Sequence, residues 1–107
     1  MPDARTIYRE GFQHYVKGEL DEAVARYREA LGLDDSFALA WNGLSMALGQ
    51  QGRLDEAIEA AQHLIALEPD DPLSHTNLSR LLQQKGLIPE AEEEKAIAMN
   101  LQMQQRD

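Results

Sequence analysis

The residues in this chain that could ligate a metal or move a proton are few and scattered. His14, His63 and His75 are the only histidines. None stands four residues from another, as a helix-borne metal pair requires, and none sits in a familiar zinc-ligand cluster. Cysteine is absent, which removes thiolate sites and disulfides. Glu92-Glu93-Glu94 is a run of carboxylates. Catalytic carboxylate pairs need a cleft and differing environments to separate their pKa values, so the run reads as a solvated helix face. Ser36, Ser45, Ser74 and Ser79 have no neighbouring base in sequence. Gly49-Gln50-Gln51-Gly52 lacks both the lysine and the preceding strand of a phosphate loop. His14 and His75 fall on inward positions of their helices, where packing or hydrogen bonding outranks ligation. The expectation is a non-enzyme without metal or cofactor.

Composition narrows the class further. The chain has 107 residues, 43% of them hydrophobic, and ten Lys and Arg against nineteen Asp and Glu give a formal charge of −9. Such a field repels nucleic-acid phosphates and anionic lipid. No apolar run reaches the roughly 18 residues that span a bilayer, and Met1-Pro2-Asp3-Ala4-Arg5 does not open a secretory signal. No nucleic-acid partner and no membrane insertion are expected. A cytoplasmic location follows from the missing signal and missing cysteines.

What positions the remaining residues is a repeat. Gly18-Glu19-Leu20-Asp21-Glu22-Ala23 returns as Gly52-Arg53-Leu54-Asp55-Glu56-Ala57 and, degraded, as Gly86-Leu87-Ile88-Pro89-Glu90-Ala91, each after 34 residues. Ile7, Trp41 and His75 keep the same step, as do Ala30, Leu64 and Ala98, and Leu31, Ile65 and Met99. The chain divides into 4–37, 38–71 and 72–105. Each unit reads as two helices, because apolar and small residues recur at helical spacing on both sides of the glycine. Gly18, Gly52 and Gly86 stand where a first helix ends in a left-handed residue. Asp21-Glu22, Asp55-Glu56 and Glu90 favour the dipole at the start of each second helix, and Pro89 tolerates the first turn. Asp34-Asp35-Ser36 and Glu68-Pro69-Asp70-Asp71-Pro72 separate the units. Six helices are expected near 5–17, 21–33, 39–51, 55–67, 73–85 and 89–102.

These residues resemble the tetratricopeptide repeat family over nearly the whole chain. Trp41, Leu44, Leu48, Gly52, Ala57, Leu64 and Pro69 stand in that family's register in the middle unit. Gly11, Gly18, Ala23, Tyr27 and Ala30 do so in the first, with Asp35 where proline is usual. Leu78, Leu82, Gly86, Ala91 and Ala98 do so in the third, with Lys95 in the aromatic position. The resemblance implies an all-α, right-handed solenoid of three helix-turn-helix repeats whose first helices line a concave groove. Small residues at Ala23, Ala57 and Ala91 let paired helices approach, while Tyr27, Trp41 and Leu44 fill the gaps. His75 takes a bulky aromatic's place, and Ser45 and Ser79 take places of packed small residues.

The two ends carry polar substitutions. Thr6, Glu10, Gln13 and Lys17 match the apolar inter-unit stripes Ala40, Leu44, Ala47, Gln51 and Ser74, Leu78, Leu81, Lys85. Glu92 and Lys95 replace Ile58 and Ala61 at the other end. Terminal repeats that meet water need such changes, so three self-contained repeats are expected, with 100–107 extending or fraying from the last helix.

Projecting the resemblance onto the first helices places Arg5, Tyr8, Arg9, Phe12, Tyr15 and Val16 in the groove. Leu39, Asn42, Gly43, Met46, Gly49 and Gln50 follow, then Leu73, Thr76, Asn77, Arg80, Gln83 and Gln84. These eighteen positions hold three arginines and no acid. Arginine beside aromatic and methionine side chains is the composition of a recognition surface. The expected function is an adaptor that binds an acidic, partly apolar peptide or helix. Arg5, Arg9 and Arg80 would pair carboxylates, Tyr8, Phe12, Leu39 and Met46 would hold side chains, and Asn42, Asn77, Gln50 and Gln84 would hold backbone. The Hsp70/Hsp90 carboxylate clamp of some family members would require basic and amide residues where Tyr8, Phe12, Gly43, Leu73 and Asn77 stand, so that clamp is absent. The alternative is a homo-oligomeric scaffold, including a homodimer in which a tail such as Leu101–Met103 docks in a neighbour's groove.

Overall fold

A computed structural model describes residues 2–106 as six helices with no strand among them. They are α1 (Ala4–Val16), α2 (Leu20–Leu33), α3 (Ala38–Gln50), α4 (Leu54–Leu67), α5 (Pro72–Lys85) and α6 (Ile88–Gln104). Each expected helix is present and begins one residue earlier than its sequence pattern suggested. For α2, α4 and α6 the reason is visible in the hydrogen bonds. The turn residues Glu19, Arg53 and Leu87 already accept from Ala23, Ala57 and Ala91, each at 3.0 Å, so the helix starts directly behind them. The last helix runs two residues past its expected end at 102, and the Gln105 amide beyond it donates to the Asp70 carbonyl at 2.7 Å.

The three glycines turn the chain as their positions require. Gly18, Gly52 and Gly86 have φ of 79°, 77° and 89°, a left-handed conformation that side chains resist. Each turn is closed by a six-residue bond: Glu19 N–H to His14 carbonyl, Arg53 to Leu48 and Leu87 to Leu82, at 2.9, 3.0 and 2.9 Å. Aspartates cap two of the three first helices. Asp71 caps α5 by accepting from Leu73 N–H at 3.0 Å, and Asp3 caps α1 by accepting from Thr6 N–H at 2.9 Å.

Consecutive helices pack in chain order, so the pairs α1/α2, α3/α4 and α5/α6 stack side by side into a solenoid. Ala23 and Ala57 are fully buried and Ala91 nearly so, which lets each pair close up. Tyr27 is the largest fully enclosed side chain. Its ring lies between α1 and α3, against Gly11 and Gly43. A Cβ at those positions would stand 2.9 Å and 2.7 Å from the ring. Two glycines on first helices thus make room for one tyrosine on a second helix.

Polar ties recur across the unit boundaries. The Gln51 amide donates to Asp21 at 2.6 Å, and Lys85, one repeat later, pairs with Asp55. Thr6, Glu10, Gln13 and Lys17 are all exposed, whereas their counterparts Ala40, Leu44 and Ala47, and Ser74, Leu78 and Leu81, are buried. Glu92 and Lys95 are exposed where Ala61 is buried. No helix of the described residues is long and apolar enough to cross a membrane.

Candidate peptide-binding groove

The first helices of the units, α1, α3 and α5, are neighbours along one face. Tyr8, Phe12 and Tyr15 of α1 meet Asn42, Gly43 and Met46 of α3 around a small cavity of about 60 Å³ whose floor is Tyr27. The aromatic rings form a chain. Tyr8 lies 6.5 Å from Phe12, 5.6 Å from Tyr27 and 5.4 Å from Phe37, centroid to centroid. Arg5 places its guanidinium over Phe37, 5.6 Å from the ring centre. Gln50 donates to the Tyr15 hydroxyl and so links α3 to α1.

Phe37 borders the candidate groove, and the groove projection misses it. It occupies the cap position of α3, where the equivalent residues of the other units are Asp3 and Asp71, and it makes no side-chain cap bond. Giving up an aspartate cap costs about 1 kcal/mol. The ring is used instead to close the aromatic wall under Arg5. The break in the Asp3, Phe37, Asp71 series is the sequence signal that could have found it.

The expected site residues fall into three groups. Arg5, Arg9, Phe12, Leu39, Gln50, Leu73, Arg80 and Gln84 are exposed, and Tyr8, Tyr15, Asn42 and Met46 are half-buried in the walls. Asn77 departs from its expected role. It is buried at 8% exposure, and its amide donates to the Ser45 hydroxyl at 2.7 Å, which in turn donates to the Asn42 carbonyl at 2.9 Å. Asn77 therefore ties α5 to α3 beneath the groove rather than presenting itself to a ligand backbone. Asn42 spends one amide hydrogen weakly on the Met46 sulfur, at 3.7 Å.

Charge separates the two faces. Arg26, Arg28 and Arg53, on the second helices and turns, all pair with glutamates; Arg28 reaches Glu56 of the next unit at 2.7 Å. Hydrogen bonds from Arg53 and Arg28 hold the Glu56 carboxyl below the usual carboxylate range. Arg9 and Arg80 make no ion pair among the described residues, and Arg5 has only its aromatic ring. Asp3, whose carboxyl is held low chiefly by its hydrogen bonds with Thr6, also feels the charge of Arg9.

The histidines serve the framework. His75 is buried, with Nδ1 at 2.7 Å from Glu94 and Nε2 at 2.8 Å from the Pro69 carbonyl. Burial works to lower its pKa, but the Glu94 and Pro69 hydrogen bonds, with the charges of Glu94 and Asp71, outweigh it and raise the value above the ordinary one. Both ring nitrogens face acceptors, so the imidazolium satisfies both. Trp41, one repeat earlier, makes the same contact: its indole N–H donates to the Asp35 carbonyl at 2.8 Å, also six residues back. His63 stacks on Trp41 with centroids 4.2 Å apart. His14 bonds Glu19 at 2.7 Å, and with Glu22 it places three potential ligand atoms within 4.8 Å of one another, a juxtaposition across the Gly18 turn that the sequence spacing hid. The Tyr27 hydroxyl, desolvated and close to Tyr8 and Tyr15, is pushed up to about 12. It stays neutral at any physiological pH.

The comparisons with known proteins agree with this architecture. The tetratricopeptide repeat family model matches residues 8–72 and 46–98, most of the chain. The chain belongs to the tetratricopeptide repeat family. The six helices accordingly fit three repeats in a right-handed solenoid. No curated protein matches it in sequence. Among solved structures, MamA superposes with a TM-score of 0.93 at 23% identity, covering 96% of this chain and 60% of that one. The Yersinia enterocolitica type III secretion translocator chaperone SycD gives 0.87 at 23%, covering 92% and 74%. The first TPR of Spaghetti (RPAP3), solved with an HSP90 peptide, gives 0.89 at 15%, covering 92% and 79%. The chain spans about three fifths of the MamA structure that it matches.

Proposed function

We propose that this tetratricopeptide repeat domain is a non-catalytic adaptor that binds a segment of a partner protein along α1, α3 and α5, with Arg5, Arg9 and Arg80 pairing its carboxylates. The observation that carries this reading is the pairing difference. In a chain of charge −9, with carboxylates in excess, Arg9 and Arg80 make no ion pair among the described residues. Guanidinium groups pair carboxylates in two-pronged fashion and carry little hydration to lose. Beside them stand Tyr8, Phe12 and Met46, the side-chain types that anchor interfaces. The fold relatives support an interaction role, since the RPAP3 repeat was solved with a bound peptide and another neighbour is a CopN–Scc3 complex. The HSP90-type terminal carboxylate is not the expected ligand here, because Tyr8, Phe12, Gly43, Leu73 and Asn77 supply no clamp. A cytoplasmic location belongs to the same proposal and is checked by cell fractionation.

The test is a capture from native extract with two baits, wild type and Arg9→Glu/Phe12→Ala/Arg80→Glu, the second verified for helicity. All three residues are exposed, so the fold should survive the changes. A partner lost only from the altered bait supports the groove. A partner held equally by both moves the site to α2, α4, α6 or the ends.

Self-association is the second reading. Met99 and Met103 are 55% and 67% exposed on the last helix, and SycD was solved as a dimer. A sedimentation mass that rises with concentration favours it.

A further inference from the structure

A second cavity lies beside the aromatic one, at the boundary between the second and third units. Its volume is about 240 Å³, room for one large side chain. Leu39, Leu64 and Leu73 form its apolar lining, and Glu68 and Asp71 stand at its acidic rim. Asn42 lines both cavities and divides them.

Three features set this cavity apart from ordinary packing defects. Leu39 and Leu73 are 48% and 71% exposed at its mouth, so apolar surface faces water on both sides of one opening. The Ser74 hydroxyl in its wall is buried at 1% exposure and has no hydrogen-bond partner among the described residues. Buried hydroxyls are normally satisfied, so this orphan is a departure from ordinary packing. The rim charge is also opposite to that of α1. Position 73 corresponds to Arg5 two repeats earlier, yet here the row ends in leucine with carboxylates alongside. Glu68 makes no ion pair among the described residues, and Asp71 uses one oxygen for the Leu73 N–H. Arg80 lies seven residues along α5 from Leu73, roughly 10 Å away, so it does not neutralise this rim.

We infer that this cavity is a second anchor site, which takes a large apolar side chain neighboured by a lysine or arginine. The inference rests on the groove-binding reading and refines it. The ligand is then bipolar, a peptide segment with carboxylates over Arg5 and Arg9 and an apolar-basic pair over Leu39, Leu73 and Glu68. Charge complementarity with the acidic rim selects this occupant over a uniformly acidic one.

Selection of displayed random dodecapeptides on the full chain tests this, using wild type, Leu73→Asp/Glu68→Lys and Arg9→Glu/Arg80→Glu in parallel. All four positions are exposed, and helicity is checked for each variant. Wild type should enrich peptides in which Lys or Arg lies within two positions of a large apolar residue. The Leu73/Glu68 variant should lose that pair and retain the acidic residues, and a synthetic consensus peptide should bind it at least about tenfold more weakly. The Arg9/Arg80 variant should lose the acidic residues and keep the pair. If the Leu73/Glu68 variant selects the wild-type motif unchanged, the inference fails and the groove reading stands. If wild type enriches no motif, both fail. A wild-type sedimentation mass above one chain that returns to one chain in the Leu73/Glu68 variant would assign the cavity to a second copy and overturn the peptide assignment.

Discussion

The arginines of the outer face and those of the inner face live under different rules. Arg26, Arg28 and Arg53 lie on second helices or turns and are each held by glutamates of the same chain. Arg9 and Arg80 lie on first helices and make no ion pair among the described residues, although the chain carries nineteen acidic residues. The outer pairs tie units together, as Arg28 does to Glu56, and exposed pairs of that kind contribute little to stability. The inner arginines contribute nothing to the fold that the contacts reveal. Stacked repeats form an extended concave surface that can be specialised for recognition while the packing between helices holds the fold.

The contrast can be broken at several strengths. The largest effect should come from the wall both faces share. Tyr27→Ala removes the ring packed against Gly11 and Gly43, and should cost about 3–5 kcal/mol in chemical denaturation. A loss below about 1 kcal/mol would mean that the close approach is dispensable. Next, Arg9→Glu/Arg80→Glu should weaken partner binding by about 2 kcal/mol, roughly thirtyfold, while the unfolding midpoint stays put. Equal loss of stability would place these arginines in the framework.

A third test concerns His75. Its pKa is raised in the folded chain, so the stability it contributes is fully present below its ordinary value and is lost as pH rises through the folded one. Unfolding free energy should therefore fall as pH climbs upward through and beyond the ordinary histidine range. His75→Gln should flatten that slope and cost about 1 kcal/mol at the acidic end. A slope that survives the substitution would belong to other groups. Smaller still, Phe37→Asp should restore a cap worth about 1 kcal/mol while removing the ring beneath Arg5, leaving net stability nearly unchanged and ligand binding weaker. The smallest effect is that of Arg28→Ala, which should leave binding where it was.

Much of the fold was legible because its signals are local and repeated. Glycine at 18, 52 and 86 and alanine at 23, 57 and 91 have one physical reason each, a left-handed turn and a close helix pair, and the 34-residue step shows each reason three times. Even His75 fits, since its ring reaches the turn carbonyl that Trp41 reaches one repeat earlier. Of the candidate site, the sequence offers positions on the first helices and not their contacts. That Asn77 would turn under the groove to Ser45, or that Gln50 would reach Tyr15, depends on how far one unit is rotated against the next. Residues 32 and 35 positions apart share no local pattern that announces a bond. The cavity between Leu39 and Leu73 likewise joins residues of two units. Phe37 was readable in principle, as the one aromatic in a series of capping aspartates.

The most direct measurement is amide chemical-shift mapping of the labelled chain, titrated with the binding segment of the captured partner. The groove account predicts the largest shifts at Tyr8, Phe12, Asn42, Met46 and Arg80, with α2, α4 and α6 quiet on their outer faces. Shifts concentrated on those second helices, around the paired Arg26, Arg28 and Arg53, would contradict it.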